Sequence, residues 1–408
     1  MNILFLTQYY PPETGAPQNR LHELALRLKN KGVNITVLTA LPNYPKMEIF
    51  KGYKGKRNSM EVIDGIEVHR ADIYVSKDSS IIKRLMNYFS FVISSFFLGG
   101  RRFKKGQFDY ILVESPPLFL GFSAVFLSRK LKAKMIFNVS DLWPESAEKL
   151  NLVTNKFFLS LAYKLEAWCY KNAALITGQT QGIVKDINQR FPNANTFWLP
   201  NGVDLSYFNP DEVKSTWRED NGFATDDLLM LYGGIMGHAQ GLETILNAAK
   251  KMEKHQKLKF VMLGDGPVKK DLLALKEQLG LSNVFFFPSV QKTQMPLITK
   301  AVDATIVPLR KLPLFEGAIP SKIFENLAMR NPVILGVQGE AKDLFVHEGE
   351  CAVAFEPENV DELCEVLDQI INQSINLAQL GTNGRKYVER KFNRDQIAQS
   401  FLTLLKSQ

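Results

Sequence analysis

The chain has 408 residues, of which 45% are apolar and 23% are charged, as in an ordinary globular protein. This composition excludes a disordered or fibrous chain, and the length predicts two domains, each large enough to bury its own core. Three cysteines are too few for a disulfide framework, which favours a reducing compartment. The first residues, MNILFLT, lack a basic region and a cleavage site, so we expect a strand rather than a signal peptide.

The net charge of +8 is distributed unevenly along the chain. Residues 1–200 contain 27 Lys and Arg against 15 Asp and Glu, a net charge of +12, whereas the remainder carries −4. A basic half favours an anionic partner, which could be a phosphorylated substrate, a membrane surface or nucleic acid. A solvated basic face would give the same counts, so charge alone does not decide between these interpretations.

Short apolar runs alternate with helix-length amphipathic segments along the whole chain. In the first half, strands are predicted at Ile3–Thr7, Ile35–Thr39, Tyr110–Val113, Met135–Val139 and Leu175–Thr177, and helices at Gln18–Lys29 and Lys156–Tyr170. The pattern restarts after residue 225, with strands at Leu228–Tyr232, Phe260–Leu263, Val284–Phe287, Ala304–Val307 and Val333–Leu335. This alternation predicts parallel βαβ units and a doubly wound α/β sheet in each half.

The turn-rich segment 199–212 separates the two halves and is a candidate linker. We therefore predict two doubly wound α/β domains of similar size that meet near residue 200. Ligands of such sheets bind beyond the carboxyl ends of the strands. The site is expected in a cleft between the domains, at the loops that follow Thr7, Val139, Tyr232, Leu263 and Val307.

Three glycine-containing loops each follow a predicted strand and precede a helix. They are TQYYPPETGAPQNR with Gly15, LYGGIMGHAQGLE (231–243) with His238, and LGDGPVKKDL (263–272). Backbone N–H groups at such helix starts suit a phosphate or a sugar hydroxyl. None of the loops is a dinucleotide or P-loop fingerprint, and an ordinary βα turn remains the alternative for the first one. Together, the three loops favour a phosphate-containing ligand.

The segment VPLRKLPLFEGAIPSKIFENLAMRNPVIL (307–335) is the most informative one. A helix is expected to start near Pro320–Ser321, with Ser321 as its N-cap. Lys322 lies in the first turn, where the helix dipole disfavours a cation unless an anion is bound there. Glu325 follows one turn later and could accept both hydroxyls of a ribose. A capping interaction between Ser321 and Glu325 is the alternative.

These strings resemble the family 4 retaining glycosyltransferases of the GT-B architecture, over essentially the whole chain. The matching strings are PPETGAPQNRLHELALRLKNKGVNITVLT, LPNGVDLSYFNP, LGDGP and PSKIFENLAMRNPVI. Two more, DLWPES (141–146) and GGIMGHAQGLET (233–244), resemble the N-acetyl-L-fucosaminyltransferase subgroup of O-antigen and capsule biosynthesis. The resemblance implies two Rossmann-like domains facing across a cleft. Residues 1–200, completed by a C-terminal helix at 393–408, would bind the acceptor, and residues 201–392 the nucleotide sugar.

The resemblance also implies roles for individual residues. Glu325 would hold the ribose, while Lys322 and the backbone around Ser321 would cradle the pyrophosphate. The backbone amides that would bind the pyrophosphate are those of Ile323 and Phe324. Gly15 and Ala16 would approach the phosphates from the N-terminal domain. The residues that would line the base are Gly264, Asp265, Gly266, Pro288 and Ser289. Gly234 and His238 would lie on the neighbouring loop. Glu316 and Gly317 would lie on the loop that contacts the sugar.

The chain departs from the family pattern at the acidic pair E-x7-E. Gly317 occupies the position eight residues before Glu325, and Glu316 comes one residue earlier. Glu316 would replace the family carboxylate after a one-residue loop shift, or backbone amides would hold the sugar.

Two further departures concern charged groups. The Arg and Lys of the family's GG-loop are missing, and His238 is the one residue there that can carry a positive charge. The pyrophosphate clamp then depends on Lys322, with Arg310 or Lys311 as possible helpers. Asp141 stands where many relatives carry a histidine. It could orient the acceptor or accept its proton, and an N-cap for the segment Leu142–Leu150 is the alternative.

Retaining transfer needs stabilisation of the departing diphosphate and orientation of the acceptor, which amides and cations can supply. The chain contains no D-x-D motif, and its five histidines show no ligand spacing. We therefore expect neither a catalytic metal nor another cofactor. The resemblance implies a nucleoside diphosphate sugar as the donor, and UDP is the nucleotide that we expect.

The charge-free run LMNYFSFVISSFFLGG (85–100) has basic residues on both sides within Ile81–Lys105. Sixteen residues are short of the roughly 20 that span a bilayer. A buried core helix and a helix lying in a membrane interface both fit the run. With the basic segment Lys46–Arg57, the second interpretation suits an acceptor on a polyprenyl diphosphate at the cytoplasmic face of the inner membrane. No nucleic-acid motif accompanies these basic residues, so no nucleic-acid partner is expected.

Two other functions stay open at the sequence level. A nucleotide-sugar 2-epimerase on the same architecture would bind the same donor but would need no acceptor. A non-catalytic nucleotide-binding or membrane-scaffold protein would show neither donor hydrolysis nor transfer.

Overall fold

The structure is a computed structural model that describes residues 1–13, 15–78, 80–149 and 153–408. Its internal contacts divide the chain into two compact units. The first unit comprises Met1–Asn201 together with Asp395–Gln408, and the second comprises Gly202–Arg394.

The first unit contains an eight-stranded sheet in the order β3-β4-β2-β1-β5-β6-β7-β8. Its strands are β1 Asn2–Leu6, β2 Asn34–Ala40, β3 Asn58–Ile63, β4 Ile66–Ala71, β5 Tyr110–Ser115, β6 Lys134–Val139, β7 Leu175–Gly178 and β8 Thr196–Trp198. Its helices are α1 Ala16–Asn30, α2 Ile81–Arg102, α3 Leu120–Leu131, α4 Glu145–Lys149, α5 Lys156–Asn172 and α6 Gln181–Arg190. All neighbouring strands are parallel except the hairpin of β3 and β4.

The second unit contains a six-stranded parallel sheet in the order β11-β10-β9-β12-β13-β14. Its strands are β9 Leu228–Gly233, β10 Leu258–Leu263, β11 Val284–Phe287, β12 Ala304–Pro308, β13 Val333–Gly336 and β14 Ala352–Ala354. Its helices are α7 Trp217–Asp220, α8 Glu243–Lys251, α9 Lys269–Leu279, α10 Met295–Ala301, α11 Lys322–Ala328, α12 Glu340–Lys342, α13 Val360–Ile371 and α14 Leu377–Lys391. The chain ends in α15, Arg394–Ser407.

The C-terminal helix α15 packs into the core of the first unit. Phe401, Leu402 and Leu405 are buried together with Leu21 and other apolar residues of α1 and β1. The hydroxyl of Tyr110 donates a hydrogen bond to the carbonyl of Leu405 at 2.9 Å. Apolar burial therefore accounts for the return of the chain to its first unit.

All ten predicted strands overlap observed strands, and the doubly wound α/β fold is confirmed. The prediction missed the hairpin of β3 and β4, whose turn is Asp64–Gly65 with positive φ at both residues. An Asp-Gly pair between two strand-like runs is a hairpin signal, so this turn could have been found in the sequence. The three-residue strands β8 and β14 are too short to give a pattern.

Each sheet has a point where the strand order reverses, and ligands of open α/β sheets bind at such points. In the first unit the reversal lies between β1 and β5, and in the second between β9 and β12. The loops that leave these strands at their carboxyl ends are therefore where candidate functional residues should lie.

Candidate functional site

In the second unit, two glycine loops touch each other at the carboxyl ends of β9 and β10. A Cβ atom at Gly264 would lie 1.9 Å from the carbonyl oxygen of Gly234, and one at Gly266 would lie 2.3 Å from that of Met236. Gly234 and Gly264 also have φ values of 140° and 146°, which side chains disfavour. These glycines therefore allow the two loops to pack against one another.

The amides of these glycines serve the loops themselves, which corrects the expectation that they would offer N–H groups to a phosphate. Gly234 donates to the carbonyl of Leu263 at 2.9 Å, and Gly264 donates to that of Phe287 at 3.1 Å. The N–H of Gly266 is bound by Asp265 Oδ1 at 2.8 Å. These three N–H groups are therefore already used within the loops.

Lys322 lies at the start of α11, beside the loop that carries Gly234. A Cβ atom at Gly234 would lie 2.9 Å from Lys322 Nζ, and the ammonium also sits 4.2 Å from the ring centroid of Tyr232. Within the described part of the chain Lys322 forms no salt bridge. Burial lowers the pKa of Lys322 to about 8, against a smaller opposing effect of Glu325. A partly buried cation beside a glycine loop is a ready partner for an anion.

The start of α11 only partly follows the prediction. Ser321 occupies the N-cap position, but its side chain makes no capping hydrogen bond. The N–H of Ile323 donates to the carbonyl of Pro320 at 3.1 Å, so it is not open to a phosphate as expected. Phe324 is buried and packs against the rings of Phe345 and Phe392.

Glu325 lies on the same helix, three residues after Lys322, and is partly buried. Burial of Tyr207 raises the pKa of its hydroxyl, and the negative charge of Glu325 adds a smaller effect in the same direction. Tyr207 is held in a turn in which Asp204 accepts hydrogen bonds from the N–H groups of Ser206 and Tyr207. Tyr207 lies in the string LPNGVDLSYFNP, but the sequence analysis did not select it as a site residue.

Arg310 and Lys311, the possible helpers in a pyrophosphate clamp, both pair with carboxylates in the structure. Arg310 donates to the carboxylates of Glu243 and Glu358, and also to the carbonyl of His238 at 2.7 Å. Lys311 pairs with Glu356 at 2.8 Å. Arg310 therefore braces the loop that carries His238, whose side chain is exposed.

The remaining predicted residues of the second unit are exposed or partly buried at the same edge of the sheet. Asp265 follows β10, and Pro288 and Ser289 follow β11. Glu316 and Gly317 belong to a 3-10 turn after β12. The backbone of Glu316 is in close contact with Gly339, where a Cβ atom would lie 2.1 Å from the Glu316 oxygen. This contact fixes the turn and leaves the Glu316 side chain in solvent.

In the first unit, Gly15 precedes α1, which begins at Ala16. The loop before it is anchored by Glu13, a buried carboxylate that the sequence analysis did not select. Glu13 accepts hydrogen bonds from the N–H groups of Tyr10, Asn43 and Tyr44 at 2.7–3.2 Å. It thereby joins the loops that follow β1 and β2. Burial raises the pKa of Glu13 in spite of these bonds.

A buried polar network joins the carboxyl ends of β5, β6 and β7, and the sequence analysis missed it. The Arg20 guanidinium donates to Glu114, Ser140 and Gln179. Glu114 also accepts hydrogen bonds from Asn138 and Ser140. A carboxylate at the end of the buried strand YILVES was the available signal, since buried charges require partners. The network fixes the loop after β6.

Asp141 is exposed and directly follows Ser140, a member of this network. Its carboxylate accepts a hydrogen bond from the Ser146 hydroxyl at 2.5 Å. The helix α4 starts only at Glu145, so Asp141 is not an N-cap of a helix that begins at Leu142. The end of that predicted segment, Leu150, lies outside the described residues.

The helix α2 has both a buried and an exposed apolar face. Phe91 and Val92 are buried in the core, while Ile82, Met86, Phe89, Ile93 and Phe97 form an exposed stripe at helical spacing. Phe126 on α3, and Phe157, Phe158 and Leu161 on α5, are exposed as well. The alternatives of a core helix and a surface helix therefore both describe part of α2. The segment Lys46–Arg57 is irregular apart from a 3-10 turn at Lys51–Tyr53.

Across the described ranges, no group of three or more His, Cys, Asp or Glu side chains is placed to hold a metal ion. None of the helices in those ranges has the length and apolarity needed to cross a membrane.

Comparison with protein families gives matches in both units. The model of the Glycosyl transferase 4-like domain matches residues 15–202, and that of Glycosyl transferases group 1 matches residues 213–387. Both models describe glycosyltransferases, one in each unit, and the chain is a glycosyltransferase. This glycosyltransferase is 27% identical to WcaI of Escherichia coli K12, whose name assigns it provisionally to colanic acid biosynthesis, across 98% of this chain and 99% of WcaI. It is 22% identical to O-antigen chain mannosyltransferase C of Escherichia coli, across 51% and 54% of the two chains.

Solved structures share the GT-B fold of this glycosyltransferase. Sucrose-phosphate synthase from Thermosynechococcus elongatus superimposes with a TM-score of 0.76 at 17% identity, covering 100% of this chain and 98% of the synthase. HepE from Anabaena, in complex with UDP and glucose, gives a TM-score of 0.71 at 18% identity, with 100% and 99% coverage.

Proposed function

We propose that this glycosyltransferase moves a sugar from a UDP-sugar to a saccharide on a polyprenyl diphosphate, with retention of the anomeric configuration. The products would enter a bacterial surface polysaccharide. The names of WcaI and of the O-antigen mannosyltransferase support the pathway, and the UDP complex of HepE supports the nucleotide. The strings DLWPES and GGIMGHAQGLET support an N-acetylated deoxyhexose as the transferred sugar.

The observation that carries the proposal is the environment of Lys322. Its ammonium lies beside Gly234 at the strand-order reversal, and its lowered pKa reflects burial without a salt-bridge partner among the described residues. A diphosphate leaving group would restore a favourable environment for this charge. As the bond to the sugar breaks, Lys322 would stabilise the negative charge that develops on the phosphate oxygens.

The other residues would orient the two substrates. Glu325 would accept hydrogen bonds from the ribose hydroxyls, and Glu316 would contact the transferred sugar. Asp141, held by the network around Glu114, would orient the acceptor hydroxyl or take its proton. The proposal includes no metal or other cofactor, and Lys322 would stabilise part of the charge of the diphosphate.

The basic first unit and the apolar stripe of α2 support a peripheral position on the cytoplasmic face of the inner membrane. An acceptor on a polyprenyl diphosphate would be presented there. No motif supports a nucleic-acid partner.

A ligand screen followed by product analysis tests the proposal. A ligand that binds only the native state raises the melting temperature, so UDP should do so more than GDP, ADP or dTDP at equal concentration. NMR of the transfer product should then show the anomeric configuration of the donor. Stabilisation by none of the four nucleotides would contradict nucleotide-sugar transfer, and an inverted product would contradict retention.

A further inference from the structure

A cavity of about 230 Å³ lies in the first unit, where α2 begins. It is lined by the rings of Tyr9, Tyr44 and Tyr88 and by Lys83, Arg84 and Asn87, among others. Its volume is below the ~300–1,000 Å³ of pockets that hold drug-sized ligands, so it fits a single ring rather than a nucleotide.

The walls of the cavity belong to the functional edge of the sheet. Tyr9 follows β1, and Tyr44 follows β2, and their ring centroids lie 5.6 Å apart. Gln8 donates a hydrogen bond to Asn87 Oδ1 at 2.8 Å, which ties the loop after β1 to α2. The cavity is therefore formed by fixed groups at the carboxyl ends of the strands, where ligands of such sheets bind.

The charges at the cavity favour an anion. Lys83 and Arg84 form no salt bridge with any residue of the described ranges, although Lys83 contacts the ring of Tyr74 and is attracted by Asp78, which also lines the cavity. Lys77 is paired with Glu48 at 2.7 Å. The carboxylate of Asp78 accepts the N–H of Ser80 at 2.9 Å. Two cations beside three aromatic rings suit a sugar ring joined to phosphate, because rings pack on sugar faces and cations bind phosphate oxygens.

The exposed stripe of α2 starts next to this cavity. At 100° per residue, Lys83 lies between Asn87, which lines the cavity, and Met86, which belongs to the stripe. From Ile82 to Phe97 the stripe extends about 22 Å along the helix, at 1.5 Å per residue. An apolar chain attached to a phosphate at Lys83 would therefore meet apolar surface at once.

We propose that this cavity binds the head group of a lipid-linked acceptor, which rests on the proposed function and identifies where its second substrate sits. The sugar ring lies among Tyr9, Tyr44 and Tyr88. The diphosphate lies at Lys83 and Arg84. The lipid leaves along the stripe of α2 toward the membrane.

Two double variants with equal charge test the proposal. Lys83→Ala/Arg84→Ala removes the cations at the cavity, and Arg101→Ala/Arg102→Ala removes two cations from the other end of α2. The probe is N-acetylglucosamine linked through a diphosphate to farnesol, titrated calorimetrically in neutral detergent micelles. The first variant should weaken binding at least about tenfold, and the second should leave it within about twofold. Equal losses in both variants, or none in the first, would overturn the assignment.

Tyr44→Ala provides an independent test, since the Tyr44 side chain is already substantially exposed. It should weaken binding of the sugar-bearing probe more than that of farnesyl diphosphate, and Tyr44→Phe should restore most of the loss. Equal losses for both probes would overturn the position of the sugar.

Donor hydrolysis by the wild-type protein without acceptor separates this proposal from the proposed function. If the donor is hydrolysed but the cavity variants bind the probe normally, only the acceptor site is wrong. If the donor is neither bound nor hydrolysed, the proposed function fails as well.

Discussion

Lys322 should take up a proton when a nucleoside diphosphate binds. Because its pKa is lowered to about 8, about half of the free protein carries the charged lysine at pH 8. Phosphates favour the charged form, so UDP binding at pH 8 should take up about half a proton, and the UDP affinity should fall above pH 8. Calorimetry in buffers of different ionisation enthalpy measures this uptake.

The control for this prediction is Lys322→Arg, which keeps the charge but does not titrate in this range. The uptake should disappear in this variant, whereas Lys322→Ala should weaken UDP about tenfold to hundredfold and leave uridine binding unchanged. Equal losses for uridine and UDP would show that Lys322 is not a phosphate ligand.

The lowered pKa of Lys322 also destabilises the unliganded protein. Charged Lys322 destabilises the fold below pH 8, and this cost is relieved as the pH rises toward 10.5.

Gly264→Ala should disturb the nucleotide site through the backbone. The added Cβ atom would lie 1.9 Å from the carbonyl oxygen of Gly234, so one of the two loops must move. Gly280→Ala is a matched control, because Gly280 also has a positive φ of 65° but has open space around it. The control should lose about 1 kcal/mol of unfolding free energy, and Gly264→Ala about 1–3 kcal/mol more. Urea denaturation and UDP titration measure both effects. Equal stabilities and unchanged UDP affinity would contradict the close packing of the loops.

At the scale of elements, α2 combines a core face with a surface face. Its stripe and the basic residues at its two ends suit an anionic membrane surface, to which each basic residue contributes about 1 kcal/mol. Phe91 and Val92 hold the other face in the core. The helix is thereby fixed to the unit while its stripe stays exposed.

Binding to anionic liposomes should therefore depend on the stripe of α2. Ile93→Gln/Phe97→Gln removes two exposed apolar side chains and should weaken co-sedimentation, since each contributes up to about 1.5–3 kcal/mol when buried. Leu273→Gln/Leu297→Gln removes two exposed apolar side chains from the second unit and should have no effect. Wild-type binding should also weaken as salt shortens the Debye length from about 10 Å toward 3 Å. Wild-type binding that is absent at low salt would contradict membrane docking.

The network of Arg20, Glu114, Asn138 and Ser140 shows how separate elements build one loop. Its members come from α1, β5, β6 and the residue after β6. Each is an ordinary polar residue by itself. The parallel register of β5 and β6 places Glu114 opposite Asn138, and α1 brings Arg20 to them. The exposed position of Asp141 follows from this arrangement.

At the scale of the whole molecule, EDTA should leave sugar transfer unchanged. In the proposed mechanism Lys322 stabilises part of the charge of the leaving diphosphate, and no divalent cation takes part. Transfer rates measured with EDTA and with added Mg²⁺ should agree within about twofold, since no interaction of the proposed transition state is removed. Activity that EDTA abolishes and Mg²⁺ or Mn²⁺ restores would contradict the mechanism.

The sequence by itself determined the two-fold α/β organisation and the order of most elements. Alternating apolar runs and amphipathic segments are local signals, and they placed strands such as Val284–Phe287 correctly. The sequence also predicted that Lys322 and Glu325 lie close together, because residues three apart on one helix lie on the same side.

Only the tertiary structure decided which polar groups are available to a ligand. Arg310 was a candidate phosphate ligand in the sequence, yet it pairs with Glu243 and Glu358, which are distant along the chain. The N–H groups of Gly234 and Gly264 were candidate phosphate ligands too, but they donate hydrogen bonds to the carbonyl groups of Leu263 and Phe287. The physical reason is that hydrogen bonds and ion pairs form between groups that folding brings together. The local pattern shows that a charge or amide exists, and the fold determines what it binds.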